Sequence, residues 1–266
     1  MAATSEPNVD PTVDAASPSG WRDWLAELGH YEQGRVAEYG AILVAGFAAA
    51  AVLLYAFAWL ATEVLDQETS AIDRATLQGL QQFSSPQLTL VANAISLMGS
   101  QAVLALGVVL LAVFLWQRRW GAAVNLVLVT AGAQVLNDVL KSAFHRTRPL
   151  PVGGFIDAQQ YSFPSGHAMV SAAFYLYLAY LVWRLVHGRW RRALLVIGLV
   201  SLVLLIGLSR LYLQAHYLSD VIAGYLAGLL WTDSVIVGGR VLTVRAHRQG
   251  RASNGTSRPP PKGSLL

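Results

Sequence analysis

The sequence predicts an all-α integral membrane protein, a bundle of six transmembrane helices with its polar motif segments at the extracytoplasmic membrane surface. Three observations lead there. Only 13% of the 266 residues are charged and 55% are hydrophobic, whereas soluble domains carry roughly 25% charged residues. The charges collect between long uncharged runs, among them 39–62 and 75–117, and a bilayer span needs about 20 apolar residues. Fourteen of the nineteen Lys and Arg residues fall at one set of span ends or in the terminal segments, the bias that marks a cytoplasmic face.

Residues 1–20 are rich in Pro, Ser, Thr, Asp and Ala and have little to bury, so a disordered tail is expected. They offer no basic stretch followed by an apolar one, and a cleaved signal peptide is not expected. In 21–38, Trp21, Trp24, Leu25, Leu28 and Tyr31 recur at helical spacing with charges opposite. This amphipathic segment reads as an interfacial helix, and the same spacing suits a helix packed on the bundle. The membrane domain, 39–238, contains spans at about 41–61, 88–116, 122–140, 168–185, 194–211 and 218–237. Between the first two, Ile72, Leu77, Leu80 and Phe83 are spaced for a helix lying on the surface. The second apolar run exceeds one span, which predicts a bend or tilt near 93–100. From 239 to 266 the chain reads as a basic, mostly unstructured cytoplasmic tail.

Both termini are therefore expected in the cytoplasm. Arg74, Lys141, Arg146, Arg148 and Arg210 are left on the opposite face with seven acidic residues. The net charge of +4 is thus a topology signal, and no nucleic-acid partner is expected. The absence of cysteine excludes disulfides, thiolate metal sites and cysteine nucleophiles.

Three segments on the outer face hold the polar residues that the spans lack. In the first, Lys141 closes the third span and Pro149 keeps Arg148 out of a helix. An ammonium point charge and a two-pronged guanidinium then lie near one spot, which suits an anion. Snorkelling anchors have the same composition. In the second, Pro164, Ser165, Gly166 and His167 precede the fourth span. Proline suits a first helical position, and the open N–H groups and dipole of such a helix start attract phosphate. His167 stands there as a proton donor, or as an incidental histidine at a helix start. In the third, His216 and Asp220 are four apart and share a helix face. The carboxylate fixes the imidazole tautomer and leaves the other nitrogen nucleophilic, unless the pair only caps a span. Arg210 lies six residues earlier, so a turn between the fifth and sixth spans is needed to aim it at the same pocket.

Taken together these residues resemble the type 2 phosphatidic acid phosphatase (PAP2) superfamily, whose pattern is K-x-x-x-x-x-x-R-P, then P-S-G-H, then S-R-x-x-x-x-x-H-x-x-x-D. Lys141, Arg148, Pro149, Pro164, Ser165, Gly166, His167, Ser209, Arg210, His216 and Asp220 match every fixed position. The resemblance implies that His216 attacks phosphorus with help from Asp220, through a phosphohistidine, and that His167 protonates the leaving group. It implies that Lys141, Arg148, Ser165, Gly166 and Arg210 hold the phosphoryl oxygens, with no metal and no cofactor. The implied substrate is a membrane lipid phosphate or diphosphate, phosphatidic acid-like or, in a bacterium, undecaprenyl diphosphate. A non-catalytic lipid binder or transporter is the alternative, as is a vanadate haloperoxidase, though those relatives place a wider gap between the lysine and the R-P pair.

Of the neighbours, His145 and Arg146 read as solvated loop residues, and Asp138 is spaced to pair with Lys141. Asn137, near the same span end, calls for a partner. Asp233 reads as structural. His30, His187 and His247 fall on the cytoplasmic side, away from the site.

Overall fold

The computed structural model describes residues 20–149 and 161–255, with side-chain detail between 40 and 241, residue 42 apart. The expected tail at 1–20 lies outside the described residues except for its last position, and so does 256–266. Every element among the described residues is a helix: α1 Gly20–Leu65, α2 Ser70–Gln81, α3 Pro86–Met98, α4 Gln101–Trp116, α5 Trp120–Phe144, α6 Gly166–Leu185, α7 Arg189–Tyr212 and α8 Leu218–Gly255. Residues up to Ala45 form one unit and those from Gly46 onward a second.

Six helical stretches are long and apolar enough to cross a bilayer: Leu43–Leu65, Pro86–Trp116, Trp120–Phe144, Gly166–Leu185, Arg189–Tyr212 and Leu218–Val241. They correspond to the six expected spans. The second consists of α3 and α4, broken at Gly99 and Ser100, inside the window where excess length predicted a bend. Serine at 85 and proline at 86 explain where α3 begins: Ser85 Oγ accepts from the Leu88 N–H at 3.3 Å, and Pro86 takes the first helical position.

Two boundaries differ from expectation. The backbone of 20–38 is helical and runs unbroken into the first span, while its side chains, and with them the expected interfacial face, lie outside the described detail. At the other end α8 continues past Val237 to Gly255. The Arg, Ala, Leu and Gln residues of that stretch are good helix formers, and proline first appears at Pro259.

The core is centred on α6, which packs against α5, α7 and α8. Small residues set the distance to α8. A Cβ on Gly224 would stand 2.7 Å from the Ser165 carbonyl oxygen, and one on Gly228 would stand 2.5 Å from that of Met169. Glycines four apart let the two backbones approach closely, as in other membrane helix pairs. Tyr225 and Trp231 complete the α8 contacts, the first donating to the Val203 carbonyl at 2.9 Å and the second to that of Leu128 at 2.9 Å. The surface helix α2 is present where expected, but its buried stripe is Asp73 and Leu77, while Ile72 and Phe83 are exposed.

Candidate active site

α5 and α7 finish, and α6 and α8 begin, at one end of the bundle, where the three polar segments meet. The turn from Leu213 to Tyr217 is the one that Arg210 requires. Gln214 takes a left-handed φ of 51°, and the Ala215 N–H returns to the Arg210 carbonyl at 3.0 Å. His216 consequently precedes α8 instead of sharing a helix face with Asp220. Asp220 occupies the first turn of α8, and its Oδ2 accepts from the Tyr217 N–H at 2.9 Å, the reach-back contact of a capping box.

His216 is buried, and its Nδ1 lies 2.9 Å from the Ser162 carbonyl oxygen. A carbonyl only accepts, so Nδ1 carries the hydrogen and Nε2 keeps its lone pair. Asp220 Oδ2 stands 3.6 Å from Nδ1, too far for a good hydrogen bond. The tautomer is thus set by backbone, and Asp220 acts on the ring as a nearby charge. Burial pushes His216 down to about 4; Asp220 pulls the other way, and Arg148 and Arg210 add to the lowering.

The second segment starts α6 at Gly166 with Ser165 as the N-cap. Pro164 therefore lies outside the helix and not at its first position. The N–H groups of Gly166 and His167, at the first two helical positions, have no acceptor within the helix. Ser165 is held from the far side, its own N–H donating to the Asp220 carbonyl at 2.9 Å. Asn137 lies beneath, its Nδ2 donating to the Pro164 carbonyl at 3.3 Å and its Oδ1 2.9 Å from where a Cβ on Gly166 would be. Phe163 is fully buried between Phe57 and Phe144, with ring centroids 6.0 and 4.8 Å away.

The cations enter from three directions. Lys141 sits in the last turn of α5, which His145 ends with a left-handed φ of 49°. Arg148 follows in the connecting chain ahead of buried Pro149. Arg210, in the last turn of α7, donates from Nη1 to Ser96 Oγ at 2.7 Å, and its buried Nε has no partner among the described residues. Lys141, Arg148, Arg210 and His216 all lie within electrostatic reach of the half-buried His167 imidazole. An open cavity of about 320 Å³ reaches Arg148 and Pro149 past Arg74, Gln78, Gln81, Gln214 and Tyr217. A larger one of about 540 Å³, beside Ser84 to Asn93, contains none of these groups. Asp138 does not pair with Lys141, because Gln134, one turn back, takes it at 3.0 and 3.2 Å.

His145 is exposed as expected, its ring edge-on to Tyr161. Arg146 is not the solvated loop residue that the sequence suggested. Its Nη1 donates to Asp220 Oδ1 at 2.6 Å and to Ser219 Oγ at 2.7 Å, and its Nη2 donates to Asp73 Oδ2 at 2.7 Å. Burial works against its charge, but Asp220 and Asp73 outweigh that and hold the guanidinium above its ordinary value. Sequence reasoning also missed Asp73, Ser96 and Ser162. For Asp73 a signal existed: it is in phase with Leu77 and Leu80, so an acid stands on the apolar stripe of α2. Ser96 and Ser162 carry no such mark. Among the described residues no three His, Cys, Asp or Glu side chains are grouped to hold a metal ion.

Comparison with known proteins bears on the family and the fold. Residues 122–238 match the PAP2 superfamily. Phosphatidylglycerophosphatase B of Bacillus subtilis (strain 168) is 30% identical over 177 residues, spanning 65% of this chain and 86% of that protein. The crystal structure of a transmembrane PAP2 type phosphatidylglycerolphosphate phosphatase from Bacillus subtilis superposes with a TM-score of 0.63 at 29% identity, covering 70% of this chain and 93% of that one. The crystal structure of Aquifex aeolicus LpxE gives a TM-score of 0.47 at 23% identity, over 62% of this chain and 94% of that one. With six apolar spans, the motif residues at one end of the bundle and a similar relative matched over most of its length, the chain belongs to the PAP2 superfamily and is a multi-pass membrane phosphatase.

Proposed function

We propose that this enzyme removes phosphate from a membrane lipid by way of a phosphohistidine on His216. The observation that carries the reading is the Ser162 carbonyl on His216 Nδ1, which leaves the Nε2 lone pair unused near the cations Lys141, Arg148 and Arg210 that gather around the two histidines. Nε2 attacks phosphorus and the bond from phosphorus to the leaving oxygen breaks. That oxygen takes a proton from His167, and the bound phosphoryl group itself supplies the negative charge that an imidazolium needs as counter-ion. Water then attacks phosphorus and gives up a proton to His167, while the electrons of the broken P–N bond return to Nε2 and inorganic phosphate leaves. Lys141, Arg148 and Arg210, with Ser165 and the Gly166 N–H, hold the phosphoryl oxygens. Positioning and charge of this kind supply most of the acceleration in phosphoryl transfer, and no metal is needed for it.

The substrate is a lipid monophosphate or diphosphate whose chains stay in the bilayer while the head group enters from the surface. Phosphatidylglycerophosphate, named for the Bacillus relative, is the first choice among monoesters, with phosphatidic acid next and undecaprenyl diphosphate as the diphosphate candidate. The excess of Lys and Arg at the opposite span ends supports a site facing away from the cytoplasm, with both termini inside.

Phosphate release from each of these lipids, measured with purified wild type and His216→Ala, is the test. Release from at least one lipid by wild type, unaffected by EDTA and abolished in the variant, is expected. Equal release from both proteins removes His216 from the chemistry, and loss on chelation restored by Mg²⁺ removes the metal-free mechanism.

A further inference from the structure

Asp220 faces two partners, His216 and Arg146, and only His216 belongs to the motif pattern. Arg146 spans the gap between Asp220 in α8 and Asp73 in α2, with both ion pairs short, at 2.6 and 2.7 Å, and both carboxylates buried. Asp73 is further fixed by Ser219, whose N–H donates to Oδ1 at 3.0 Å and whose Oγ–H donates to Oδ2 at 2.6 Å. The Arg146 guanidinium also lies 4.3 Å from the centre of the Tyr217 ring, so Tyr217 and Ser219, three residues and one residue before Asp220, are held by the same cation. The backbone of Arg146 contributes separately. Its carbonyl accepts the Ser162 N–H at 2.8 Å, and the Ser162 carbonyl is the group that holds His216 Nδ1.

We propose that Arg146 and Asp73 are positioning residues for the phosphoryl-transfer site, a clamp that divides the Asp220 charge between Arg146 and His216 and makes the surface helix α2 a working part of the enzyme. The proposal rests on the reading of His216 as nucleophile. Buried pairs of this kind are a weak source of net stability, but removing one partner leaves a buried charge exposed to its neighbours. Here the neighbour on the other side of Asp220 is the His216 ring. The ring is faced by Asp220 from α8, by Arg148 from the connecting chain and by Arg210 from α7, and it lies within electrostatic reach of His167 of α6. Changing what Arg146 takes from Asp220 therefore changes what His216 feels. The two clamp residues act in opposite directions. Loss of Arg146 releases the Asp220 charge to the ring and favours its protonated form, while loss of the Asp73 charge gives the guanidinium wholly to Asp220 and disfavours that form.

The test uses full-length Arg146→Gln and Asp73→Asn in detergent, with His216→Ala alongside, on the best lipid substrate. We expect kcat to fall roughly tenfold to a hundredfold in both, the scale seen for the supporting partners of metal-bound imidazoles, with KM nearly unchanged. The acid limb of the pH profile should move to higher pH in Arg146→Gln and to lower pH in Asp73→Asn. A purely structural role predicts lower thermal stability and an acid limb that stays in place. Wild-type kcat, or an unmoved acid limb, in whichever clamp variant folds overturns the proposal; should Arg146→Gln not fold, Asp73→Asn decides. An active His216→Ala defeats the nucleophile reading instead, so the two failures are distinguishable.

Discussion

α6 and the first span have similar composition and opposite surroundings. Both are long and apolar enough to cross a bilayer, yet more than half of α6 is buried by protein and almost none of Leu43–Leu65. The first span presents Val52, Leu54 and Tyr55 outward, where lipid tails serve as solvent. α6 turns Ala168, Ser171, Ala172 and Ala173 against its neighbours, and the glycines of α8 come up to its backbone. The difference teaches that hydropathy counts spans without ranking them. The site stands at the start of the helix that the rest of the bundle surrounds, where backbone positions are held from all sides.

The sharpest way to break this contrast is Gly224→Val. A Cβ there meets the Ser165 carbonyl, which cannot rotate aside, and the strain falls between Ser165 and Asp220, whose backbones are hydrogen-bonded. Overpacking of this kind costs about 1–3 kcal/mol. Phosphatase activity should be largely lost, and thermal unfolding in detergent should occur at a lower temperature than in wild type. Wild-type activity in Gly224→Val would mean that the close approach of α6 and α8 does not hold the site.

A smaller effect distinguishes the buried corner from an ordinary exposed imidazole. His216 is held at about 4 against an ordinary 6.5, mainly by burial. It is neutral at pH 6, where a free histidine would be mostly protonated, so with His216 as the proposed nucleophile the acid limb of kcat/KM should lie near pH 4. The stability consequence has the matching sign. Between pH 6.5 and 4 the unfolded chain binds a proton that the native protein excludes, so this group's contribution falls as pH is lowered through that window. A nucleophile limb at pH 6.5 would show that the ring is solvated. The smallest effect belongs to the lipid-facing side: Val52→Ala should change stability by less than about 0.5 kcal/mol and leave kcat unaltered, and a large loss there would place protein where lipid is expected.

The same contrast explains what could be read from residues alone. The spans were legible because apolar runs of sufficient length have few other uses, and the broken second span because its excess length had to be absorbed. The motif residues were legible by type and spacing, and Lys141, Arg148, His167, Arg210 and His216 do converge at one end of the bundle. Their supports were harder to find. His216 and Asp220, four apart, suggested one helix face, but a turn with Gln214 in the left-handed region intervenes, and a backbone carbonyl more than fifty residues away orients the ring. Contacts to backbone leave no trace in side-chain identity. Arg146 looked like a loop cation because its two partners come from distant elements, and only the phase of Asp73 on α2 pointed inward. The helical continuation beyond Val237 is hidden by the basic charge of that stretch and the prolines that follow it, although the stretch contains good helix formers.

The central claim is covalent, and trapping tests it most directly. Wild-type enzyme quenched in alkali during turnover of a ³²P-labelled lipid phosphate should retain an alkali-stable, acid-labile label on the peptide containing His216, and His216→Ala should retain none. Label on another residue, or steady turnover by wild type with no trappable label under a quench faster than kcat, would contradict the account.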